Sequence, residues 1–95
     1  MIEIQRNNNG ISIKGHAGYA PHGQDIVCAA VSALVQAFYV SVQQLTADQV
    51  KADFSPGKAV IEYGNLSDVA KLLEDSLFVG LNLISDNYPD HVRVL

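Results

Sequence analysis

Thiol chemistry is the first chemistry that this sequence indicates, because its single cysteine follows closely after two histidines. Cys28 is the only cysteine among the 95 residues, and His16 and His22 lie in the segment GHAGYAPHGQ, residues 15 to 24. A thiol becomes an effective nucleophile when a nearby base takes its proton, and histidine is the usual base. The residue types therefore indicate a cysteine nucleophile with His16 or His22 as its general base.

The position of Cys28 at a predicted helix start strengthens this interpretation. Asp25 is a favoured N-cap residue, which makes Cys28 the third residue of the helix that follows. The partial positive charge and the free amides of a helix start stabilise a thiolate. We expect the same amides to receive the oxyanion of a tetrahedral intermediate. The alternative is a structural role, since a single cysteine in an apolar helix is usually a small buried side chain.

Two other kinds of site use the same residue types. His16, His22, Cys28 and His91 could form a zinc site, but their spacings match none of the usual zinc motifs, and we predict no metal and no cofactor. The glycine-rich segment matches neither GxGxxG nor a P-loop, and it contains no lysine or arginine to meet a phosphate. Thiol chemistry therefore remains the leading interpretation.

Hydrophobic periodicity predicts the elements that position these residues. Strands are predicted over residues 2–6, 11–14, 49–55, 58–63 and 91–95, and helices over 26–45 and 66–86, the second capped by Asn65 or Ser67. The order ββαββαβ predicts an α+β fold of two layers, in which two helices cover a mostly antiparallel sheet. Since His16 directly follows the second strand, the chain must turn at Gly15 to bring it over Cys28.

The composition limits the function classes. A length of 95 residues with 48% apolar residues predicts a single domain, residues 1–95. The net charge of −4 and the scattered cations argue against direct binding of nucleic acid, whereas an acidic surface favours a basic partner. The apolar stretches are interrupted by polar residues, so we predict no membrane span. A lone thiol and the absence of a signal-like start predict the cytoplasm.

The segment GHAGYAPHGQDIVCAAVSAL, residues 15 to 34, resembles the ribosomal-processing cysteine protease (Prp) family. The family signature is a GHA segment, a variable loop that ends in glycine, and then DIVCAAVS. Gly15-His16-Ala17 matches its first part, and the run from Asp25 to Ser32 matches its second, in order and at the expected separation. Outside residues 15 to 34 the resemblance is general, in length and in element order.

The resemblance implies a specific activity. Members remove a short N-terminal extension from a large-subunit ribosomal protein, cleaving after an aromatic residue. The family nucleophile falls on Cys28, its base on His16 and its hinge glycine on Gly15, while Asp25 and Ser32 are associated with the site. Members are homodimers and need no cofactor. Asp25 either orients His16 or only caps the helix, and the sequence leaves both roles open.

Two other function classes remain as alternatives. A non-catalytic, ribosome-associated binding module would keep the fold but would not need both His16 and Cys28, and a metal-binding regulator would contain stoichiometric zinc.

The sequence also predicts an assembly and a mobile segment. Excess apolar residues on the second helix support a homodimer, namely Leu72, Phe78, Val79 and Leu83. The glycine-rich residues 17–24 are predicted to be mobile and to be ordered by a bound peptide.

Overall fold

One mixed sheet and two long helices make up the fold. The computed structural model describes all 95 residues, in the order β1 (Ile2–Asn7), β2 (Gly10–Lys14), α1 (Ile26–Leu45), β3 (Val50–Ser55), β4 (Lys58–Tyr63), α2 (Asp68–Asn87) and β5 (Val92–Val94). The sheet order is β3-β4-β2-β1-β5. Only the β1–β5 pair is parallel, and the other neighbours are antiparallel. The predicted α+β class and mostly antiparallel sheet are confirmed.

The core lies between one face of the sheet and the two helices. In β1, Ile2 and Ile4 are buried while Glu3 and Gln5 are exposed, which is the alternation of a strand with one covered face. A fully buried isoleucine contributes roughly 1.5–3 kcal/mol relative to an exposed one. The core side chains of α1 recur at helical spacing and face the sheet: Val27, Val31, Val35, Phe38 and Val42.

The predicted bounds of α1 are confirmed, and the helix is buried on one side only, although its apolar residues extend around most of it and predict burial on most sides. A second stripe of the helix carries Ile26, Ala30, Ala33, Ala37 and Val40, and all five residues are exposed. The exposed fractions of Ile26 and Val40 are 55% and 43%. The sheet and α2 cover only one side of α1, so this stripe has no partner within the chain.

The second helix begins two residues later than predicted. It begins at Asp68, and the Ser67 hydroxyl caps it by accepting a hydrogen bond from the Ala70 amide at 3.2 Å. Asp48 selects this start, because its carboxylate accepts hydrogen bonds from both the amide and the hydroxyl of Ser67 at 2.8 Å. The last strand is also shorter than predicted, because the His91 amide donates to the Tyr88 carbonyl in a turn.

A charged cluster fixes α2 against the sheet. Glu74 is buried, and its carboxylate accepts hydrogen bonds from the Tyr63 hydroxyl and from Arg6, the latter at 2.5 Å. Arg6 also pairs with Asp75 at 2.8 Å, and its guanidinium lies 4.7 Å from the centre of the Phe78 ring. Hydrogen bonding to Asp75 is the main cause that raises the pKa of Arg6. The buried carboxylate is therefore fully partnered.

By length and composition alone, α1 is also apolar enough to cross a membrane. A core helix of a globular domain meets the same criterion. The stripe of α1 from Val27 to Val42 packs into the core against the sheet, as it does in such a domain.

Candidate active site

A groove of about 870 Å³ lies between the first turns of α1, the loop that follows β2, and the turn between β3 and β4. Its lining includes all five residues that the sequence predicts for the site: Gly15, His16, Asp25, Cys28 and Ser32. His22 also lines the groove. The fold therefore brings the predicted residues together, and the groove lining alone does not choose between the two histidines.

Cys28 is half-buried on the first turn of α1 and is a free thiol. The amide of Ala17 donates a hydrogen bond to its sulfur at 3.3 Å. Ala17 is only 2% exposed, so this donor is held in the core and is not part of a loose loop. An amide that donates to sulfur stabilises negative charge on it, as a thiolate nucleophile requires.

Ser32 lies one helical turn after Cys28 and lines the same groove. It is exposed, and its hydroxyl makes no hydrogen bond within the chain. Its hydroxyl therefore remains free to meet a ligand in the groove.

Two of the amides at the start of α1, those of Val27 and Cys28, are not free, which corrects the expectation that the helix-start amides together receive the oxyanion. Asp25 Oδ1 accepts hydrogen bonds from the Val27 amide at 3.0 Å and from the Cys28 amide at 2.9 Å. The reason is the cap itself, since an N-cap carboxylate satisfies the amides that an oxyanion would need. Ala17 is left as the residue whose amide faces the sulfur.

The other carboxylate oxygen of Asp25 ties down the loop before α1. Asp25 Oδ2 accepts hydrogen bonds from the amides of Tyr19 at 3.0 Å and Ala20 at 3.4 Å. The hydrogen bond from the Cys28 amide, followed by those from Tyr19 and Ala20, holds the pKa of Asp25 below its usual value. Asp25 makes no hydrogen bond to His16, so in this structure it caps the helix and anchors the loop.

The predicted mobility of residues 17–24 stays a prediction. The first residues of this loop make more hydrogen bonds than its last four. Ala17, Tyr19 and Ala20 use their amides in the hydrogen bonds above, and the Tyr19 ring packs edge-on against Tyr88 and His91. Residues 21–24 are exposed, and their single backbone contact joins Gln24 to Pro21 at 2.9 Å. Residues 21–24 are therefore the least restrained part of this loop.

Two glycines place His16. Gly15 has a φ of +99°, and a Cβ there would lie 2.2 Å from the Met1 carbonyl oxygen, so only glycine allows the predicted turn. Its amide donates to the Gly57 carbonyl at 2.8 Å, which ties the end of β2 to the β3–β4 turn. At Gly57 a Cβ would lie 2.8 Å from His16 Nε2. The exposed His16 ring therefore rests on Gly57.

Sequence reasoning missed two residues that surround this site. Gly57 falls in the turn predicted between residues 55 and 58, but no pattern predicts its contact with His16, and the sequence indicates His91 only as a possible zinc ligand. His91 Nδ1 lies 2.9 Å from the Ala17 carbonyl oxygen, although the two residues are 74 positions apart. No local pattern carries such a contact, because it depends on how the last turn of the chain packs.

The alternative zinc site is not assembled. His16, His22 and Cys28 line the groove, but no group of three or more His, Cys, Asp or Glu side chains is placed to hold a metal ion.

Comparisons with known proteins give a consistent result. The family model described as cysteine protease Prp matches residues 1–93. The ribosomal processing cysteine protease Prp of Mycoplasma genitalium is 31% identical over 103 residues, which cover 99% of this chain and 94% of that protein. The protein of the same name from Bacillus subtilis is 34% identical over 87 residues, covering 84% and 78%.

A solved structure extends the similarity to the fold. The crystal structure of an essential ribosomal processing protease Prp from S. aureus, in complex with a covalently linked product peptide, matches with a TM-score of 0.88. The sequence identity is 25%, and the match covers 98% of this chain and 94% of that one. The similarity therefore includes the strand order and both helices, and not only the segment around Cys28.

Proposed function

This chain belongs to the cysteine protease Prp family, and from this premise we propose that it removes the N-terminal extension of a large-subunit ribosomal protein. The observation that carries the proposal is the groove in which Cys28, with an amide donating to its sulfur, and His16, resting on Gly57, lie together. Relatives at 31% and 34% identity are named for ribosomal processing, and their names supply the substrate class.

Cys28 and His16 carry out the reaction, as nucleophile and as general acid and base. His16 takes the proton of the Cys28 thiol, and the thiolate attacks the scissile carbonyl to give a tetrahedral intermediate. His16 then gives the proton to the leaving amine, the carbon–nitrogen bond breaks, and a thioester on Cys28 remains. A water molecule, losing its proton to His16, hydrolyses the thioester and restores the thiol. The thiol proton leaves with the amine, and the proton that His16 takes from water restores the thiol, so the enzyme is regenerated without a cofactor.

The other residues of the site determine its geometry and do not react themselves. Gly15 and Gly57 let the His16 ring approach the groove, and Asp25 holds both the start of α1 and the loop that leads to it. Ser32 lies on the groove wall, where its free hydroxyl can bind the substrate backbone. The net charge of −4 favours a basic peptide such as the extension of a ribosomal protein.

Incubation with the ribosomal protein carrying its extension tests this function. The expected product is the mature protein together with the released extension, both identified by mass. The matched controls are the mature protein, which should stay intact, and the precursor with the aromatic residue before the scissile bond changed to alanine, which should be cut far more slowly. Equal cleavage of the alanine precursor, or no cleavage of the natural one, contradicts the proposed substrate.

The assembly that we propose is a homodimer. One face of α2 presents Val69, Leu72, Val79 and Leu83, whose exposed fractions run from 55% to 69%. These positions fall on one helical stripe, and an exposed apolar stripe of this kind marks an interface. Phe78, which the sequence also assigned to this surface, is 6% exposed and belongs to the core.

Light scattering at micromolar concentration should therefore give the mass of a dimer. The double variant Leu72→Glu, Leu83→Glu should shift the protein to a monomer, because it places two charges on the apolar stripe. Leu45→Glu is the matched control, since Leu45 is 66% exposed but lies at the end of α1. A monomer mass for the unaltered protein contradicts the homodimer.

We further propose that the protein acts in the cytoplasm, where a free Cys28 thiol stays reduced. The acidic balance of the chain supports a protein substrate and argues against direct contact with nucleic acid. The packing of α1 into the core supports a role away from the membrane.

A further inference from the structure

Ala17 connects the catalytic sulfur to a residue near the end of the chain. Its amide donates to Cys28 Sγ at 3.3 Å, and its carbonyl oxygen lies 2.9 Å from His91 Nδ1. Ala17 is only 2% exposed, and its peptide planes are held on both sides. The Met1 ammonium donates to the His16 carbonyl at 2.6 Å, in the plane that carries the Ala17 amide, and His91 holds the plane that carries the Ala17 carbonyl. The bond to His91 therefore helps to keep Ala17 in position over the sulfur.

We propose that His91 is a positioning residue of the protease site, whose ring holds the Ala17 carbonyl and thereby keeps Ala17 in place, with its amide against the Cys28 sulfur. The inference rests on the proposed role of Cys28. It adds a residue that lies outside the segment 15–34 and does not line the groove. A carbonyl oxygen only accepts hydrogen bonds, so Nδ1 of His91 carries the proton.

The surroundings of His91 fix its ring. Its amide donates to the Tyr88 carbonyl at 2.9 Å, and its carbonyl accepts from the Ile2 amide at 2.8 Å, so its backbone is held by both the last turn and β1. The Tyr19 ring packs edge-on against the imidazole, with the ring centres 5.4 Å apart, and against Tyr88 at 5.5 Å. The half-buried imidazole is thus held by backbone and by side chains, as a positioning group must be.

The hydrogen bond from the Ala17 amide to the sulfur affects the reactivity of Cys28. A directed amide stabilises the thiolate more than the neutral thiol, because hydrogen bonds to a charged acceptor are stronger. Loss of the His91 contact lets Ala17 shift away from the sulfur, which weakens the hydrogen bond from its amide to the attacking thiolate. Turnover then falls, while binding of the peptide in the groove changes little because His91 lies outside it.

Four variants of the full-length protein separate the hydrogen bond from the packing. His91→Phe keeps a ring beside Tyr19 but has no donor. His91→Asn places an amide nitrogen near the position of Nδ1, whereas His91→Gln carries its amide one carbon further out. Asp90→Ala is the control, because Asp90 is an exposed neighbour without a side-chain hydrogen bond. Each is assayed for kcat and KM on the cleavable peptide and for the rate of Cys28 alkylation by iodoacetamide at neutral pH.

We expect His91→Phe to lower kcat and the alkylation rate by on the order of tenfold each, with KM little changed. His91→Asn should recover most of both rates, His91→Gln should not, and Asp90→Ala should match the unaltered protein. A folded His91→Phe with unaltered rates overturns the proposal. If that variant does not fold, equal rates for His91→Asn and His91→Gln overturn it.

The two readouts also keep this inference separate from the proposed function. Alkylation needs no substrate, so a slow His91→Phe in a protein that cuts no ribosomal precursor would contradict the substrate and support the positioning role. Normal alkylation of His91→Phe in a protein that does cut the precursor would contradict the positioning role alone.

Discussion

Replacing Cys28 with alanine should abolish peptide cleavage while leaving the protein folded. The thiol supplies the attacking atom, and loss of the nucleophile in enzymes of this kind lowers turnover by on the order of 10⁴-fold or more. The fold should tolerate the change, because alanine is the best helix former and Cys28 is only half-buried. Circular dichroism and the rate of product formation, measured on the same sample, check both halves of the expectation.

Comparison with Cys28→Ser distinguishes loss of the nucleophile from loss of the hydrogen bond that Ala17 donates to residue 28. In Cys28→Ala the Ala17 amide loses its acceptor, which costs about 1 kcal/mol of stability. Cys28→Ser keeps an acceptor at this position but offers a far weaker nucleophile, so it should be as inactive as Cys28→Ala and more stable. Measurable processing by Cys28→Ala would show that another group is the nucleophile.

The second large effect concerns the general base. His16→Ala should lose at least about a hundredfold in turnover, since a positioned base supplies on the order of 10²–10⁴ in rate. His22→Ala should stay close to the unaltered protein. Both histidines border the groove, but only His16 is placed by the turn at Gly15 and rests on Gly57. His22 lies among the exposed residues 21–24 and makes no side-chain hydrogen bond.

Both histidine variants are best measured on one peptide in one buffer. If His22→Ala loses more turnover than His16→Ala, the base is His22, and the contact of His16 with Gly57 is only structural. If neither variant loses turnover, Cys28 acts without a histidine base and the proposed dyad is wrong.

Local signals in the sequence were sufficient for α1, but not for α2. Asp25 is the only strong cap before the apolar run, and the structure begins α1 directly after it. Before α2 the sequence offers two caps, Asn65 and Ser67, and the choice depends on Asp48, which lies 19 positions away from Ser67. Long-range contacts of this kind decide element boundaries, and they leave no periodic pattern in the sequence.

The same difference between local and long-range signals applies to the residues of the site. The residues from Gly15 to Ser32 could be found because they are close in the sequence and form one motif. The expectation that helix-start amides receive the oxyanion does not allow for the cap at Asp25, which satisfies the amides of Val27 and Cys28. Gly57 and His91 reach the site only through the folding of β3–β4 and of the chain end, so no local signal identified them.

The most direct test of the Cys28–His16 mechanism is the mass of the enzyme during turnover. After rapid mixing with a cleavable peptide and quenching in acid, we predict an adduct equal to the N-terminal product less one water, attached to Cys28 and absent from Cys28→Ala. Hydroxylamine in the reaction should convert the same intermediate into a peptide hydroxamate. Product formation with neither adduct nor hydroxamate, at any quench time, would mean that water attacks the peptide directly and would contradict the mechanism.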